Sequence, residues 1–225
     1  MGYRRFGLPH SGPIDWWAHQ AANHLVGNPH DAACIEIGMT SSVIRVEAEG
    51  LIAVCGAGYR LFVNQKAMPL WMSFLARPGD QLTLEKYAGG NWVTLAISGG
   101  IQSDVWLGSR SVYPRGNLGR YLGDGDQLTI DRLPPQARFL AGRNIPVSLR
   151  PAYSQTPQLR VIDGPEVDRF HSQSIASFYE QACQVSTQSD RMGFRLQGQP
   201  ILHEKGADIV SRGMAMGEIQ VPGDG

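Results

Sequence analysis

Short apolar or alternating runs, separated by glycine-rich turns, dominate the first 130 or so positions. Residues 43–48 and 51–55 read as strands. In 81–85 the alternation is clean, with Leu82 and Leu84 on one face. Residues 92–97 form an unbroken run suited to a buried strand, and 127–130 alternate again. One stretch has a helical period instead. Trp17, Ala21 and Leu25 recur at four-residue spacing behind Asp15, which is placed as an N-cap. Gly27 follows as a C′ residue, with Pro29 beyond it. A second helical region is predicted over 166–181, anchored by Val167, Phe170, Ile175 and Phe178. Strands are predicted at 159–163 and 183–187, and the end, 217–225, reads as strand and turn. The pattern predicts a mainly β protein with a few short helices, its strands chiefly antiparallel in a sandwich or barrel.

Two segments echo one another. Arg77-Pro78-Gly79-Asp80-Gln81-Leu82-Thr83-Leu84 and Gly123-Asp124-Gly125-Asp126-Gln127-Leu128-Thr129-Ile130 both place a Gly-Asp turn before a strand. The echo suggests a repeated supersecondary unit. Residues 134–157 then carry five prolines, a texture suited to a connector. The expected organisation is a first β-rich lobe over 1–133, a connector over 134–157, and a second, incomplete β-rich lobe over 158–225.

Composition narrows the classes. Twenty basic residues balance twenty acidic ones, so the basic footprint of a nucleic-acid or membrane-surface binder is missing. No apolar run is long enough to span a bilayer. The start shows no charged-then-apolar leader pattern. Cys34, Cys55 and Cys183 are far apart and without a C-x-x-C. They read as free thiols in a reducing cytoplasm, and no metal site is expected.

Polar residues crowd one stretch. Gly2-Tyr3-Arg4-Arg5-Phe6-Gly7-Leu8-Pro9-His10-Ser11-Gly12-Pro13-Ile14-Asp15 is a glycine- and proline-punctuated loop aimed by the first helix. Arg4, Arg5, His10, Ser11 and Asp15 gather there; an ordinary cap and turn would use the same pattern. His10, Ser11 and Asp15 do not make a hydrolase triad, because adjacent side chains point apart. His19 and His24 fall off one helical face and suit a metal poorly. Gly56-Ala57-Gly58 lacks the context of a dinucleotide fingerprint and reads as a turn, and no Walker A sequence occurs. Two other loops carry arginines between glycines: Arg110, Arg115 and Arg120 in one, Arg191 and Arg195 in the other. Arginine in such loops either grips a carboxylate or phosphate or closes loop salt bridges. The first loop is expected to lie at the lobe interface with the two arginine loops, since three glycine-rich polar loops need one shared cleft to act together.

Several blocks, in order over nearly the whole chain, carry a resemblance. Ala22-Asn23-His24-Leu25-Val26-Gly27-Asn28-Pro29 is followed by Ala33-Cys34-Ile35-Glu36. Ser98-Gly99-Gly100-Ile101, Leu107-Gly108-Ser109-Arg110-Ser111 and Arg191-Met192-Gly193-Phe194-Arg195-Leu196 come later. Together they resemble the biotin-dependent carboxyltransferase-like family, which includes the C-type 5-oxoprolinase proteins, the allophanate hydrolase subunit 2 proteins, and the carboxyltransferase module of urea carboxylase and urea amidolyase. The resemblance implies two related cyclophilin-like β-barrel lobes. It implies first a C-type component of an ATP-dependent 5-oxoprolinase, turning 5-oxoproline into glutamate beside A-type and B-type partner proteins. A second implication is a module moving a carboxyl group from biotin to urea or another amide. A third is a regulatory binding protein antagonising a histidine-kinase inhibitor.

From the three polar loops, Asp15, Arg120 and Arg191 are the candidate catalytic residues, and Ser11, Gly12, Arg110 and Ser111 the candidate substrate-binding residues. A small amide is the implied substrate. No cofactor is expected on this chain: ATP belongs on a partner protein, and biotin would arrive on another domain, since no Met-Lys-Met carrier motif occurs. Three departures stand out. Val112 follows Ser111 where relatives often carry Thr. A β segment that relatives place before Gly2 is missing, and so is a Gly-Gly-Tyr-Pro-type segment after Gly225. The expectation is therefore a fold truncated at both ends, with exposed sheet edges near Trp16, Trp17, Ile219 and Val221, and either self-association through them or low stability as a monomer.

Overall fold

A computed structural model describes residues 3–225. The chain falls into two compact units, 3–157 and 158–225. Gly2, the first residue of the N-terminal polar loop, lies outside the described residues.

The first unit is built on eight strands: β1 (Ile35–Gly38), β2 (Ser42–Arg45), β3 (Gly50–Gly56), β4 (Tyr59–Val63), β5 (Lys66–Met68), β6 (Ser73–Ala76), β7 (Gln81–Lys86) and β8 (Trp92–Ile97). They form two antiparallel four-stranded sheets, in the orders β1-β8-β3-β6 and β2-β7-β4-β5. Neither sheet closes on itself, so the mainly β expectation holds with open layers. A two-residue ladder joins β9 (Ile101–Gln102) to β10 (Thr129–Ile130). Helix α1 (Trp16–Val26) covers the outer face of the first sheet.

The central strand β3 is buried along its whole length because it serves two cores. Ile52 and Val54 point toward the second sheet, where they meet Leu61, Leu82 and Leu84, with Val93 and Leu95 of their own sheet beside them. Leu51, Ala53 and Cys55 point the other way and meet Ala18, Ala22, Leu25 and Val26 of α1. The period of two therefore produces an unbroken apolar run, as a strand covered on both faces requires. The helix's buried stripe is Ala18, Ala21, Ala22, Leu25 and Val26, rather than one through Trp17. Trp17 is 48% exposed, at the edge of the stripe, and its indole N–H donates to the Leu149 carbonyl at 3.1 Å. Small alanines let the helix lie close to the sheet. Gly27 ends the helix as expected, its N–H reaching the Asn23 and His24 carbonyls.

The echoed turns have the same architecture. In the first, Asp80 Oδ2 accepts from the Arg77 N–H at 2.7 Å while the Asp80 N–H donates to the Arg77 carbonyl at 3.0 Å. In the second, Asp126 Oδ2 accepts from the Gly123 N–H at 2.7 Å and the Asp126 N–H donates to the Gly123 carbonyl at 3.2 Å. Gly79 and Gly125 take matching positive φ values of 92° and 83°. The strand after the second turn is short, β10 covering Thr129–Ile130 only.

The proline-rich residues 134–157 belong to the first unit. A 3-10 turn at Pro135–Leu140 packs against α1 and β3, with Ala137 buried. The backbone of 143–145 then continues the edge of β6, where Ser73 donates its N–H to Arg143 and Ile145 donates to Trp71. Proline does not prevent packing here; it stops the segment from forming a regular strand of its own.

In the second unit a 3-10 turn (Val167–Arg169) precedes helix α2 (Ser172–Glu180), within the predicted helical region. A two-residue ladder joins β11 (Gln184–Val185) to β12 (Leu196–Gln197). The strands predicted at 159–163 and within 217–225 do not form. Leu159 and Ile162 are strongly exposed, and among the described residues no strand pairs with either segment. A strand exists only with a neighbour to receive its backbone bonds. Among the described residues no helix is long and apolar enough to cross a membrane.

Candidate functional site

Asp15 is held from both sides. As the N-cap of α1 it accepts the Ala18 N–H on Oδ1 at 2.9 Å, satisfying one of the orphan donors of the first turn. Its other oxygen, Oδ2, accepts the phenolic O–H of Tyr153 at 2.5 Å, across 138 positions of sequence. The preceding loop is pinned by Glu36 on β1, whose Oε1 accepts the Ile14 N–H at 2.7 Å. The end of the polar loop, the start of the helix and the proline-rich segment thus meet at one carboxylate.

That carboxylate opens on a cavity of about 440 Å³ lined by Ile14, Asp15, Trp16, Ala57, Asn91, Trp92, Pro151 and Tyr153. Two glycine-bearing turns form part of its rim. The turn after β3 carries Ala57, and the turn before β8 carries Asn91. They press so closely that a Cβ on Gly58, at φ +82°, would sit 1.9 Å from the Gly90 carbonyl oxygen. Only glycine fits there. Lys86 braces the second turn from behind, its Nζ donating to the Gly90 carbonyl at 2.7 Å. On the inner side the Trp71 ring lies 6.4 Å from the Tyr153 ring. Trp71 takes φ +64°, rare for a bulky residue. Three bonds hold it there: its N–H to the Val54 carbonyl, its indole N–H to the Gly56 carbonyl, and its own carbonyl accepting from Ile145.

Electrostatics fix the protonation states. Burial, and then donation to the ionised Asp15, push the Tyr153 phenol well above its usual range. It stays a proton donor throughout the physiological range. Burial pushes the Cys34 thiol up to about 12 and Cys55 up as well, which makes both poor nucleophiles. Burial lowers His19 despite the nearby Glu36 carboxylate, and its Nε2 lies 3.3 Å from Asn23 Nδ2. Among the described residues no group of three His, Cys, Asp or Glu side chains could hold a metal ion.

The other sequence candidates sit elsewhere. Ser11 and Gly12 precede Asp15 on the polar loop, with Ser11 exposed. The Arg120 guanidinium forks onto the Asp126 carboxylate, both N–O distances being 2.6 Å. It closes the second echoed turn, holding Asp126 down at about 2. Arg110 donates to the Ser103 carbonyl and to Gln102 Oε1, and the Ser111 N–H donates to Ser109 Oγ. The bonds of Asp15 go to Ala18 and Tyr153 rather than to Arg120. Arg191 belongs to the second unit, in a tight turn where Asp190 and Gly193 exchange backbone bonds. Tyr153, Asn91, Trp92 and Trp16 were not legible as site residues. Nothing local marks Tyr153, which reads as part of a connector.

The family described as carboxyltransferase domain, subdomain A and B, matches residues 6–225. The C-type 5-oxoprolinase protein of Escherichia coli (strain K12) is 32% identical over 228 residues, covering 100% of this chain and 71% of that protein. The Lachancea kluyveri urea amidolyase is also 32% identical, over 211 residues, covering 88% of this chain but 12% of that much longer protein. Among solved structures, TTHA0988 superimposes with a TM-score of 0.84 at 30% identity, over 97% of this chain and 42% of its own. An extended match of this kind, joined to the same mainly β architecture, places the chain in the carboxyltransferase domain, subdomain A and B, family.

Proposed function

We propose that the chain is the C-type component of an ATP-dependent 5-oxoprolinase, acting with A-type and B-type partner proteins on a small cyclic amide. The observation that carries this reading is the Asp15–Tyr153 pair on the wall of an otherwise largely apolar cavity. An amide presents one N–H donor and one carbonyl acceptor side by side. Opening it requires a group that manages the proton at nitrogen and a donor for the oxygen that gains charge. Asp15 supplies a carboxylate acceptor, and Tyr153 a phenol held in its protonated form, whose one O–H turns from Asp15 Oδ2 to the substrate oxygen. Trp16 and Trp92 supply flat apolar walls suited to a small ring. ATP is assigned to a partner, because this chain carries no phosphate-cradling loop of the Walker A kind. Ser11 and Gly12, next to Asp15 in sequence, are assigned to substrate binding with Arg110 and Ser111. Arg120 and Arg191 remain proposed catalytic residues.

The same pair would serve an amide nitrogen receiving a carboxyl group. The similarity to urea amidolyase keeps that second reading, in which biotin arrives on another domain. The test is reconstitution with A-type and B-type partners, measuring glutamate formed from 5-oxoproline with ATP. The expected result is activity that needs all the chains and falls at least about 100-fold in kcat with Asp15→Asn, the order of one general acid–base contribution. Carboxylation of urea by carboxybiotin, with no glutamate formed, would establish the second reading instead. Partner binding with neither activity would point to a regulatory protein.

A further inference from the structure

The charges around the cavity choose among amides. Among the described residues its lining holds one carboxylate, Asp15, and no lysine, arginine or histidine. A second carboxylate, Glu36, stands behind the loop at the Ile14 N–H. The helix N-terminus would ordinarily favour an anion, but Asp15 already occupies that end and takes an N–H of the first turn. Two cations near it have backbone carbonyl partners. Arg150 donates through Nε to the Ile145 carbonyl, and Lys86 donates to the Tyr87 and Gly90 carbonyls behind the rim. A ligand carboxylate entering this space would meet a like charge in partly dry surroundings, an arrangement that disfavours ionised pairs strongly.

We propose that this cavity accepts the uncharged amide portion of the substrate and rejects a carboxylate, so that the carboxylate of 5-oxoproline is met by a cation outside the residues lining it. The proposal rests on reading the cavity as the amide site. It deepens that reading by separating two jobs: amide recognition inside the cavity, and carboxylate recognition beyond it. An isolated chain therefore prefers a neutral lactam to the charged substrate of the assembled enzyme.

Three probes of similar ring size test this with the full chain: 2-pyrrolidinone (neutral lactam), 5-oxoproline (the same ring with a carboxylate) and cyclopentanone (no N–H). Binding is followed by ligand-observed NMR and by tryptophan fluorescence, since Trp16 and Trp92 form the walls. The expected result is 2-pyrrolidinone bound at least about tenfold more tightly than 5-oxoproline, a gap that narrows with added salt. Asp15→Asn, which keeps a good helix cap, should weaken 2-pyrrolidinone and shrink the gap. If wild-type chain binds 5-oxoproline as tightly as 2-pyrrolidinone or more so, the charge inference is overturned while the amide site stands. If 2-pyrrolidinone binds no better than cyclopentanone, or neither lactam binds, the amide reading itself fails and takes the inference with it.

Discussion

Replacing Tyr153 by Phe removes one hydroxyl and leaves the ring, so it isolates the bond to Asp15. The bond is short, 2.5 Å, and its acceptor is a carboxylate oxygen. Hydrogen bonds to charged groups contribute about 1.5–3 kcal/mol. Tyr153 is 38% exposed, so water can reach the vacated carboxylate oxygen, and the lower end applies: about 1.5 kcal/mol. For a unit of this size that is a fall in Tm of roughly 3–6 °C. All five tryptophans, at 16, 17, 71, 92 and 106, lie in the first unit. Urea unfolding followed by tryptophan fluorescence therefore reports that unit, and the change should appear in the midpoint with the slope unchanged.

The pH dependence gives a second reading of the same bond. The folded phenol is held above its ordinary value of 10.0 by burial and by Asp15. Above pH 10 the unfolded chain loses this proton while the folded chain keeps it. The unfolded state then binds fewer protons, and stability falls as pH rises. The contribution is complete below pH 10 and declines upward from there, so the advantage of wild type over Tyr153→Phe should shrink above pH 10. A variant as stable as wild type at pH 7, with a gap that does not change between pH 9 and 11, would refute the assignment of Tyr153 as the proton donor to Asp15.

Other outcomes follow from particular contacts. Gly58→Ala should cost roughly 3 kcal/mol, because the new Cβ meets the Gly90 carbonyl at a positive φ; amide exchange should speed up on the turns carrying Ala57 and Asn91. Leu95→Ala, at a position 1% exposed between the two sheets, should cost about 2–5 kcal/mol by the same urea titration. Asp126 should titrate at about 2 by carboxyl NMR, and Arg120→Ala should move it up toward the 3.8 of an unperturbed carboxylate. The stability that Asp126 contributes is present above 3.8 and is lost as pH falls through about 2.

The sequence by itself determined what depends on neighbours in the chain. The 92–97 run became β8, and 51–55 became the middle of β3, because a continuous apolar strand has only a doubly covered position to occupy. Asp15 and Gly27 bounded α1 because caps are satisfied within one turn. The two Gly-Asp turns closed alike because their bonds run over three residues. Tertiary structure decided what depends on distance. Trp17 lost its place in the buried stripe to the alanines once the sheet's closeness chose small side chains. Residues 159–163 have strand composition but stayed unpaired, since pairing belongs to the neighbour and not to the strand. Asp15 was legible as a cap, but its partner Tyr153 lies 138 residues away. No local period encodes that separation; only the packing of the proline-rich segment within the first unit brings phenol and carboxylate together.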